Sequence, residues 1–162
     1  MRAILPPVLA LLMVAAPALA AGPDPAGDRN RQPRLTVKQV KPLAFGRVTT
    51  RGETGFITVD PETGAKEVRA ATDLGGEHAV AEFLVRGEPE RPFRITLPKM
   101  VRVRGREMKG ARLQDFRSVP AETGRLGADG RAIVRVGATL RLPAEARGKF
   151  DESFELFVDY DD

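Results

Sequence analysis

The chain has 162 residues, with 26 lysines and arginines against 22 aspartates and glutamates, which gives a formal net charge of +4. This length suits a single domain with one core, and so mild a basic excess does not indicate a nucleic-acid-binding protein. The sequence contains no cysteine, so disulfides, thiol catalysis and cysteine-ligated metals are excluded.

Residues 1–20 have the pattern of a secretion signal. Arg2 provides the positive charge, an apolar run follows from Ile4 to Ala16, and Ala18-Leu19-Ala20 has the small residues that signal peptidase accepts. We therefore expect a mature protein that begins at Ala21 and is exported through the Sec pathway to the periplasm, the cell surface or the medium. No membrane span is expected after cleavage, and nucleic acid is not an expected partner outside the cytoplasm.

The segment that follows the signal is polar and contains several prolines and glycines. Residues 21–34 include no large apolar side chain. Such a segment cannot bury enough surface to fold, so it is predicted to be a disordered leader. A single folded domain is predicted from residue 35 to residue 162.

Beyond the leader, short runs alternate between apolar and polar residues, which is the pattern of β-strands with one buried face. The longest alternation covers Val134–Leu142, and Ala79–Val85 is a further run that is apolar on both faces. The remaining runs are Leu35–Val37, Phe56–Val59, Phe93–Leu97, Val101–Val103 and Phe154–Tyr160. About eight short strands at near-regular spacing predict an antiparallel β-sandwich, with a barrel as the alternative.

Three segments between these runs are predicted to be turns. Asp60–Gly64 has a proline that fixes φ and a late glycine that accepts positive φ. Gly87–Pro89 separates two of the strands, and Ala128–Gly130 carries the Asp-Gly pair that is favoured in tight hairpins.

Several of these features occur in an order that resembles one protein family. They are Leu43-Ala44-Phe45-Gly46, Gly55, Thr58-Val59-Asp60-Pro61, Thr63-Gly64, Ala81-Glu82-Phe83, Gly87-Glu88-Pro89, Ile95-Thr96-Leu97-Pro98, Val136-Gly137, Thr139-Leu140, Leu142, Gly148 and Phe154–Tyr160. With them the chain resembles the bacterial secreted family known as domain of unknown function 4402. The resemblance implies no activity and no catalytic residue. It makes the expected fold an all-β, antiparallel, immunoglobulin-like (pilin-like) β-sandwich.

The C-terminal run is similar to the last strand of chaperone–usher pilin subunits, which also combine a glycine, an alternating strand and a near-terminal tyrosine. In those proteins a periplasmic chaperone, and later a neighbouring subunit, pairs with the edge of the fold. Any sandwich that closes on a buried edge strand has the same pattern. The candidate strand-pairing residues are Leu35, Val37, Phe154, Leu156, Val158 and Tyr160. The sequence of Leu35–Val37 is equally compatible with the domain's own first strand and with a donor strand that pairs with a neighbouring subunit.

Five arginines alternate with apolar residues on the predicted strands. They are Arg94, Arg102, Arg104, Arg135 and Arg141. If their strands are neighbours, they form a basic face that suits an anionic polysaccharide or the phosphates of lipopolysaccharide. The alternative is a solvated face on which the arginine stems cover apolar surface.

Groups suited to catalysis or metal binding are sparse. The one histidine, His78, is most simply a loop residue, and the two serines, Ser118 and Ser153, lie in no nucleophile motif. The acidic residues near Asp60 and at the C-terminus are better explained by a turn and by a soluble chain end than by calcium. We expect no catalytic residue, no metal and no cofactor.

Two functions follow from these observations. The favoured one is a non-enzymatic envelope or cell-surface protein with a structural or interaction role, assembling as a pilin-like subunit by strand pairing with itself or with a periplasmic chaperone. The alternative is a monomeric periplasmic or secreted module that binds an anionic glycan through the arginine face. Whether Leu35–Val37 pairs with its own sheet bears directly on this choice.

Overall fold

The described part of the chain is built from β-strands and contains no helix. The computed structural model describes residues 34–104 and 109–161, except for the side chain of residue 151. The predicted signal over residues 1–20 and the predicted leader as far as residue 33 lie outside the described residues. Within them there are fourteen strands, more than predicted. They are β1 (Thr36–Lys41), β2 (Leu43–Thr49), β3 (Gly55–Val59), β4 (Lys66–Arg69), β5 (Thr72–Asp73), β6 (His78–Ala79), β7 (Ala81–Arg86), β8 (Pro92–Thr96), β9 (Met100–Arg102), β10 (Arg112–Val119), β11 (Thr123–Arg125), β12 (Arg131–Leu142), β13 (Arg147–Glu152) and β14 (Phe157–Tyr160).

The largest sheet, sheet A, has seven strands and is organised around β12. On one side β12 pairs with β10, and β9 follows β10 at that edge. On the other side, the first half of β12 pairs with β7 and the second half pairs with β3. β1 continues the sheet beyond β7, and β4 continues it beyond β3. All of these pairings are antiparallel, so the sheet can form from hairpins and returning strands.

The second layer consists of two smaller antiparallel sheets. Sheet B has the order β13-β2-β5, with β6 also against β2, and sheet C has the order β11-β8-β14. Phe45 of β2 and Phe93 of β8 are at most 1% exposed and join the inward side chains of sheet A in one core cluster. The prediction of an all-β antiparallel sandwich is therefore confirmed. The closer likeness to immunoglobulin and pilin domains stays a prediction.

β12 shows how the alternating sequence produces the sandwich. Its inward positions from Val134 to Leu142 are at most 1% exposed, whereas Arg135 and Arg141 point outward and are only partly covered. Full burial of each large apolar side chain stabilises the fold by about 1.5–3 kcal/mol. A shift of register by one residue would expose all of these side chains together. The predicted strand is confirmed, and it sets the register of its neighbours on both sides.

A glycine marks the point in β12 where its partner changes from β7 to β3. Gly137 lies between Val136, which pairs with β7, and Ala138, which pairs with β3. A Cβ atom at Gly137 would lie 2.1 Å from the carbonyl oxygen of Val59 and 2.8 Å from Cδ of Pro61. The end of β3 therefore approaches β12 more closely than a side chain would permit.

Two of the predicted strands differ from those in the structure: one is divided and one is shorter. The prediction of one strand over Ala79–Val85 is wrong, because Val80 lies between β6 in sheet B and β7 in sheet A. The chain changes layers there, which explains why the run is apolar on both faces. The predicted C-terminal strand is shorter than expected, because β14 begins at Phe157 and only its second half pairs with β8.

Two core strands, β2 and β10, were not predicted as strands. In β10 the register shifts between Gln114 and Arg117, and Asp115 has a φ of 52°. Because of this bulge, Leu113 and Ser118 both face the core although they are five positions apart, a spacing that would place them on opposite faces of a regular strand. A strict two-residue alternation therefore does not detect the strand. β2 runs without a break, but Gly46 has a φ of 76° and is buried next to the buried Phe45, so the alternation is lost there as well.

The predicted turn at Asp60–Gly64 is confirmed. The Asp60 side chain accepts hydrogen bonds from the backbone N–H groups of Thr63 at 2.8 Å and Glu62 at 3.0 Å, and from the Thr63 hydroxyl at 3.0 Å. These bonds, led by the one from the Thr63 backbone, hold the pKa of Asp60 below its ordinary value of 3.8. Gly64 takes a φ of 75°, as the turn requires.

Candidate functional site

The strands β1 and β14 lie near each other, at the ends of two different sheets. β1 is the last strand of sheet A and pairs with β7, and β14 is the last strand of sheet C and pairs with β8. Within the described residues, each of these strands therefore has one edge that is hydrogen-bonded to no other strand. The N–H and C=O groups along such an edge are a template for pairing with a further strand.

A groove of about 370 Å³ lies between β1 and the segment that leads into β14, and it is called the β1–β14 groove below. It is lined by Val37, Gln39, Phe83, Phe154, Glu155, Leu156 and Phe157. Phe157 is 61% exposed at the start of β14, and Val40 is 50% exposed on β1. Five of the seven lining residues are apolar, and Gln39 and Glu155 are polar. A groove of this kind beside two unpaired strand edges has the features by which sheets accept an added strand.

The first predicted strand belongs to its own sheet in this structure. Leu35 immediately precedes β1, and Val37 lies on β1 opposite Val85 of β7. Both side chains are half-buried and pack against the core. The strand is thus an integral edge of sheet A, and its outer edge is hydrogen-bonded to no other strand among the described residues.

Phe154 and Leu156, predicted to take part in strand pairing, are core residues. The ring of Phe154 lies 5.4 Å from that of Phe83 and 5.0 Å from that of Phe116, measured between centroids. Both Phe154 and Leu156 are less than 9% exposed, and they precede β14 rather than lying on it. They hold the C-terminal segment against the core. Val158 is on β14, half-buried against that core.

Tyr160 anchors the turn between β7 and β8. Its hydroxyl accepts a hydrogen bond from the backbone N–H of Glu88 at 2.8 Å. The guanidinium of Arg91 lies 4.0 Å from the centroid of its ring, a cation–π distance. A Cβ atom at Gly87 would lie only 2.5 Å from the hydroxyl oxygen, so this turn and the tyrosine fit closely. The near-terminal tyrosine thus has a structural contact inside its own chain.

The two edge strands carry opposite charges. β1 exposes Lys38 and Lys41, whereas β14 exposes Asp159. Among the described residues, neither Lys38 nor Asp159 has an ion-pair partner. Asp161, just beyond β14, accepts from Nη2 of Arg94 at 2.6 Å. The edges of the groove are therefore electrostatically complementary to each other.

The five predicted arginines do not all lie on neighbouring strands, so the condition for a single basic face is not met for Arg94. Arg94 lies on β8 in sheet C, in the other layer, where it pairs with Asp161. Arg102, Arg135 and Arg141 lie on strands of sheet A, and Arg104 follows β9. Arg135 is held by a structural contact, because its Nη1 donates to the carbonyl oxygen of Glu62 at 3.0 Å.

Three arginines lie side by side across the outer face of sheet A. The register places Arg112 opposite Arg141 on one side and opposite Arg102 on the other, and we call these three residues the arginine row. Arg69 of β4 extends the same line beyond Phe56. Like charges in directly opposite positions destabilise a sheet. Within the described residues no carboxylate forms an ion pair with any of the three.

A depression of about 480 Å³ adjoins the arginine row on the same face. It is lined by Phe56, Thr58, Arg69, Ala70, Gln114, Asp115 and Thr139. The hydroxyl oxygens of Thr58 and Thr139 are 3.0 Å apart, and Nε of Arg112 donates to Gln114 at 3.3 Å. An aromatic ring beside hydroxyl, amide and guanidinium groups is chemically suited to a sugar ring. The Asp115 carboxylate lies in the same depression, so the positive charge of this face comes from Arg69 and the adjoining arginine row.

A comparison with protein families matches residues 35–160 to the family described as Domain of unknown function (DUF4402). The chain belongs to this family. The match spans all fourteen described strands, so the prediction of the family from its ordered motifs is confirmed. Comparisons with curated proteins and with solved structures found no match.

In this DUF4402 domain the residues considered for catalysis are scattered. His78 is exposed on β6 rather than in a loop, and Ser153 is exposed between β13 and β14. Ser118 is buried, and its hydroxyl donates to the carbonyl oxygen of Ala121. Residues 34–104 and 109–161 hold no group of three His, Asp or Glu side chains placed to bind a metal. Nor do they hold a helix long and apolar enough to cross a membrane.

Proposed function

We propose that this DUF4402 domain is a non-enzymatic, exported structural protein of the bacterial envelope or cell surface, and that it assembles by strand pairing at the β1–β14 groove. The observation that carries this proposal is the groove itself, which is lined mainly by apolar side chains and lies beside two strand edges that are hydrogen-bonded to no other strand among the described residues. The signal pattern of residues 1–20 supports export.

An added strand would contribute main-chain hydrogen bonds along either edge of the groove. Its alternate side chains would enter beside Val37 and Leu156, while Phe157 would lose the exposure that is costly in a monomer. A second copy of the domain would supply such a strand in the assembled state. A periplasmic chaperone would supply it before assembly.

We expect the protein, purified from a host that exports it, to associate as its concentration rises. Phe157→Ser should weaken this association about tenfold, since it removes part of the roughly 1.5–3 kcal/mol gained by burying a phenylalanine. Met100→Ser is the matched control, because Met100 is 47% exposed on β9 at the opposite end of sheet A. Sedimentation velocity measures both effects. A protein that stays monomeric at millimolar concentration would contradict the proposal.

A second function, binding of an anionic polysaccharide, is favoured by the arginine row. Three guanidinium groups in adjacent strands form a line of positive charge that suits a chain of repeating anionic sugars. The depression with Phe56 and the two threonines would receive a sugar ring next to that line. Like charges in register reduce stability, so their presence without carboxylate partners is consistent with a ligand that neutralises them.

Arg112→Gln is expected to weaken retention of the protein on immobilised dextran sulfate about tenfold at fixed salt, because each charge-assisted hydrogen bond contributes about 1.5–3 kcal/mol. The same variant should unfold at the wild-type temperature or above it, since the repulsion in the row is relieved. Arg147→Gln is the control, with the same change of charge on β13 of sheet B. If both variants reduce retention equally, or neither does, the arginine row is not the binding surface.

A further inference from the structure

The proposed assembly does not specify which strand enters the groove. The exposed side chains and charges of β1 and β14 indicate which strand it is. We infer that the partner is a second copy of this chain, and that β1 of one copy pairs antiparallel with β14 of the other. In this pairing Lys38 lies opposite Asp159 and Val40 lies opposite Phe157. The inference rests on the proposed strand pairing and adds the identity, direction and register of the partner strand.

The exposure pattern of the two edges defines which side chains would meet. On β1, Thr36, Lys38 and Val40 are exposed and Val37 and Gln39 are half-buried; Val40 lies where the register with β7 shifts, between Gln39 and Lys41. On β14, Phe157 and Asp159 are exposed and alternate with half-buried neighbours. Because side chains that face each other across two strands must lie on the same face, exposed positions pair with exposed positions.

Among the antiparallel registers that match these faces, one joins both a charge pair and an apolar pair. It sets Lys38 against Asp159 and, two residues along each strand, Val40 against Phe157. A shift by two residues in either direction brings Lys38 opposite Phe157 or Val40 opposite Asp159. The parallel arrangement that keeps Lys38 opposite Asp159 brings Val40 opposite Asp161. Cross-strand pairs of opposite charge, and aromatic pairs with β-branched residues, are the arrangements that stabilise a sheet.

Pairing of like strands is disfavoured by charge. Two copies of β1 would bring Lys38 and Lys41 of one chain close to the same residues of the other, and two copies of β14 would bring Asp159 close to Asp159. Like charges in opposing positions destabilise the contact. Lys38 and Asp159 have no ion-pair partner among the described residues, so both are available to a neighbouring chain.

Charge reversal tests the register directly. Lys38→Glu and Asp159→Lys should each weaken self-association about tenfold in sedimentation velocity at low salt, because each turns an attraction into a repulsion. An equimolar mixture of the two variants should recover association, since Glu at one edge then meets Lys at the other. The double variant in one chain should recover it as well. Both positions are exposed, so the circular dichroism and melting temperature should remain those of the wild type.

Lys41→Glu is the matched control for net charge, because this register places Lys41 opposite Leu156 rather than an acid. It should weaken association by less than a factor of two to three. If the wild type associates but the mixture of Lys38→Glu and Asp159→Lys does not recover, the inference is wrong while strand assembly stands. If the wild type does not associate at all, strand assembly itself is wrong.

Discussion

Phe154→Ala is expected to lower the free energy of unfolding by about 3–5 kcal/mol. The side chain is 7% exposed and makes edge contacts with the rings of Phe83 and Phe116, so its removal leaves a cavity bounded by two aromatic side chains. The segment that carries Phe154 leads into β14, and its loss therefore loosens the C-terminal edge as well. Urea denaturation followed by circular dichroism measures the change as a shift of the midpoint.

Phe157→Ala is the control, because Phe157 is three residues along the chain but 61% exposed. We expect it to change the free energy of unfolding by less than about 1 kcal/mol. The two substitutions thus separate the residue that packs the C-terminal segment against the core from the exposed residue at the proposed assembly surface. A midpoint for Phe154→Ala close to that of the wild type would show that the aromatic cluster does not hold this segment.

The parts of the fold that could be predicted from the sequence are those where one face of a strand is buried throughout. β12 and β3 alternate without interruption, and both strands were found at their observed positions within a few residues. The turn at Asp60 could also be predicted, since its hydrogen bonds join residues close in the chain. In such cases the local pattern and the tertiary environment agree.

Other parts depend on contacts between residues that are distant in the chain. The sequence does not indicate that Arg112 lies on a strand, because β10 has a bulge at Asp115. The position of Arg112 between Arg102 and Arg141 follows from the pairings of β10 with β9 and β12. Arg94 alternates with apolar residues like the other arginines, but β8 belongs to the second layer. Alternation shows that a side chain points outward, and it does not show on which sheet.

The candidate assembly surface illustrates the same difference. Leu35–Val37 and Phe154–Tyr160 were recognised as possible edges because both occur near the ends of the domain and alternate. Their charges could be read from the sequence as well. The proximity of the two strands could not be predicted from the sequence, because β1 pairs with β7 and β14 pairs with β8, in different sheets. The groove therefore arises from topology, whereas the side chains that line it come from local pattern.

Gly137→Ala is expected to lower the free energy of unfolding by about 3 kcal/mol or more, an effect larger than that of most single substitutions. The added Cβ would lie 2.1 Å from the carbonyl oxygen of Val59 and 2.9 Å from the backbone nitrogen of Pro61. These are backbone atoms, so no side-chain rotation relieves the overlap, and the end of β3 must move away from β12. Ile57 and Val59, which are fully buried, would then lose packing against the core.

The effect of Gly137→Ala should extend to the outer face of sheet A. β3 and β4 carry Phe56 and Arg69, so displacement of β3 also disturbs the line that continues the arginine row. Ile133→Ala is the control on the same strand and the same face; because Ile133 is 49% exposed, it should cost less than about 1 kcal/mol. Urea midpoints compare the two variants. Equal urea midpoints for the two variants would mean that β3 is not held against β12 at Gly137. They would also mean that a glycine is not needed where β12 changes its pairing from β7 to β3.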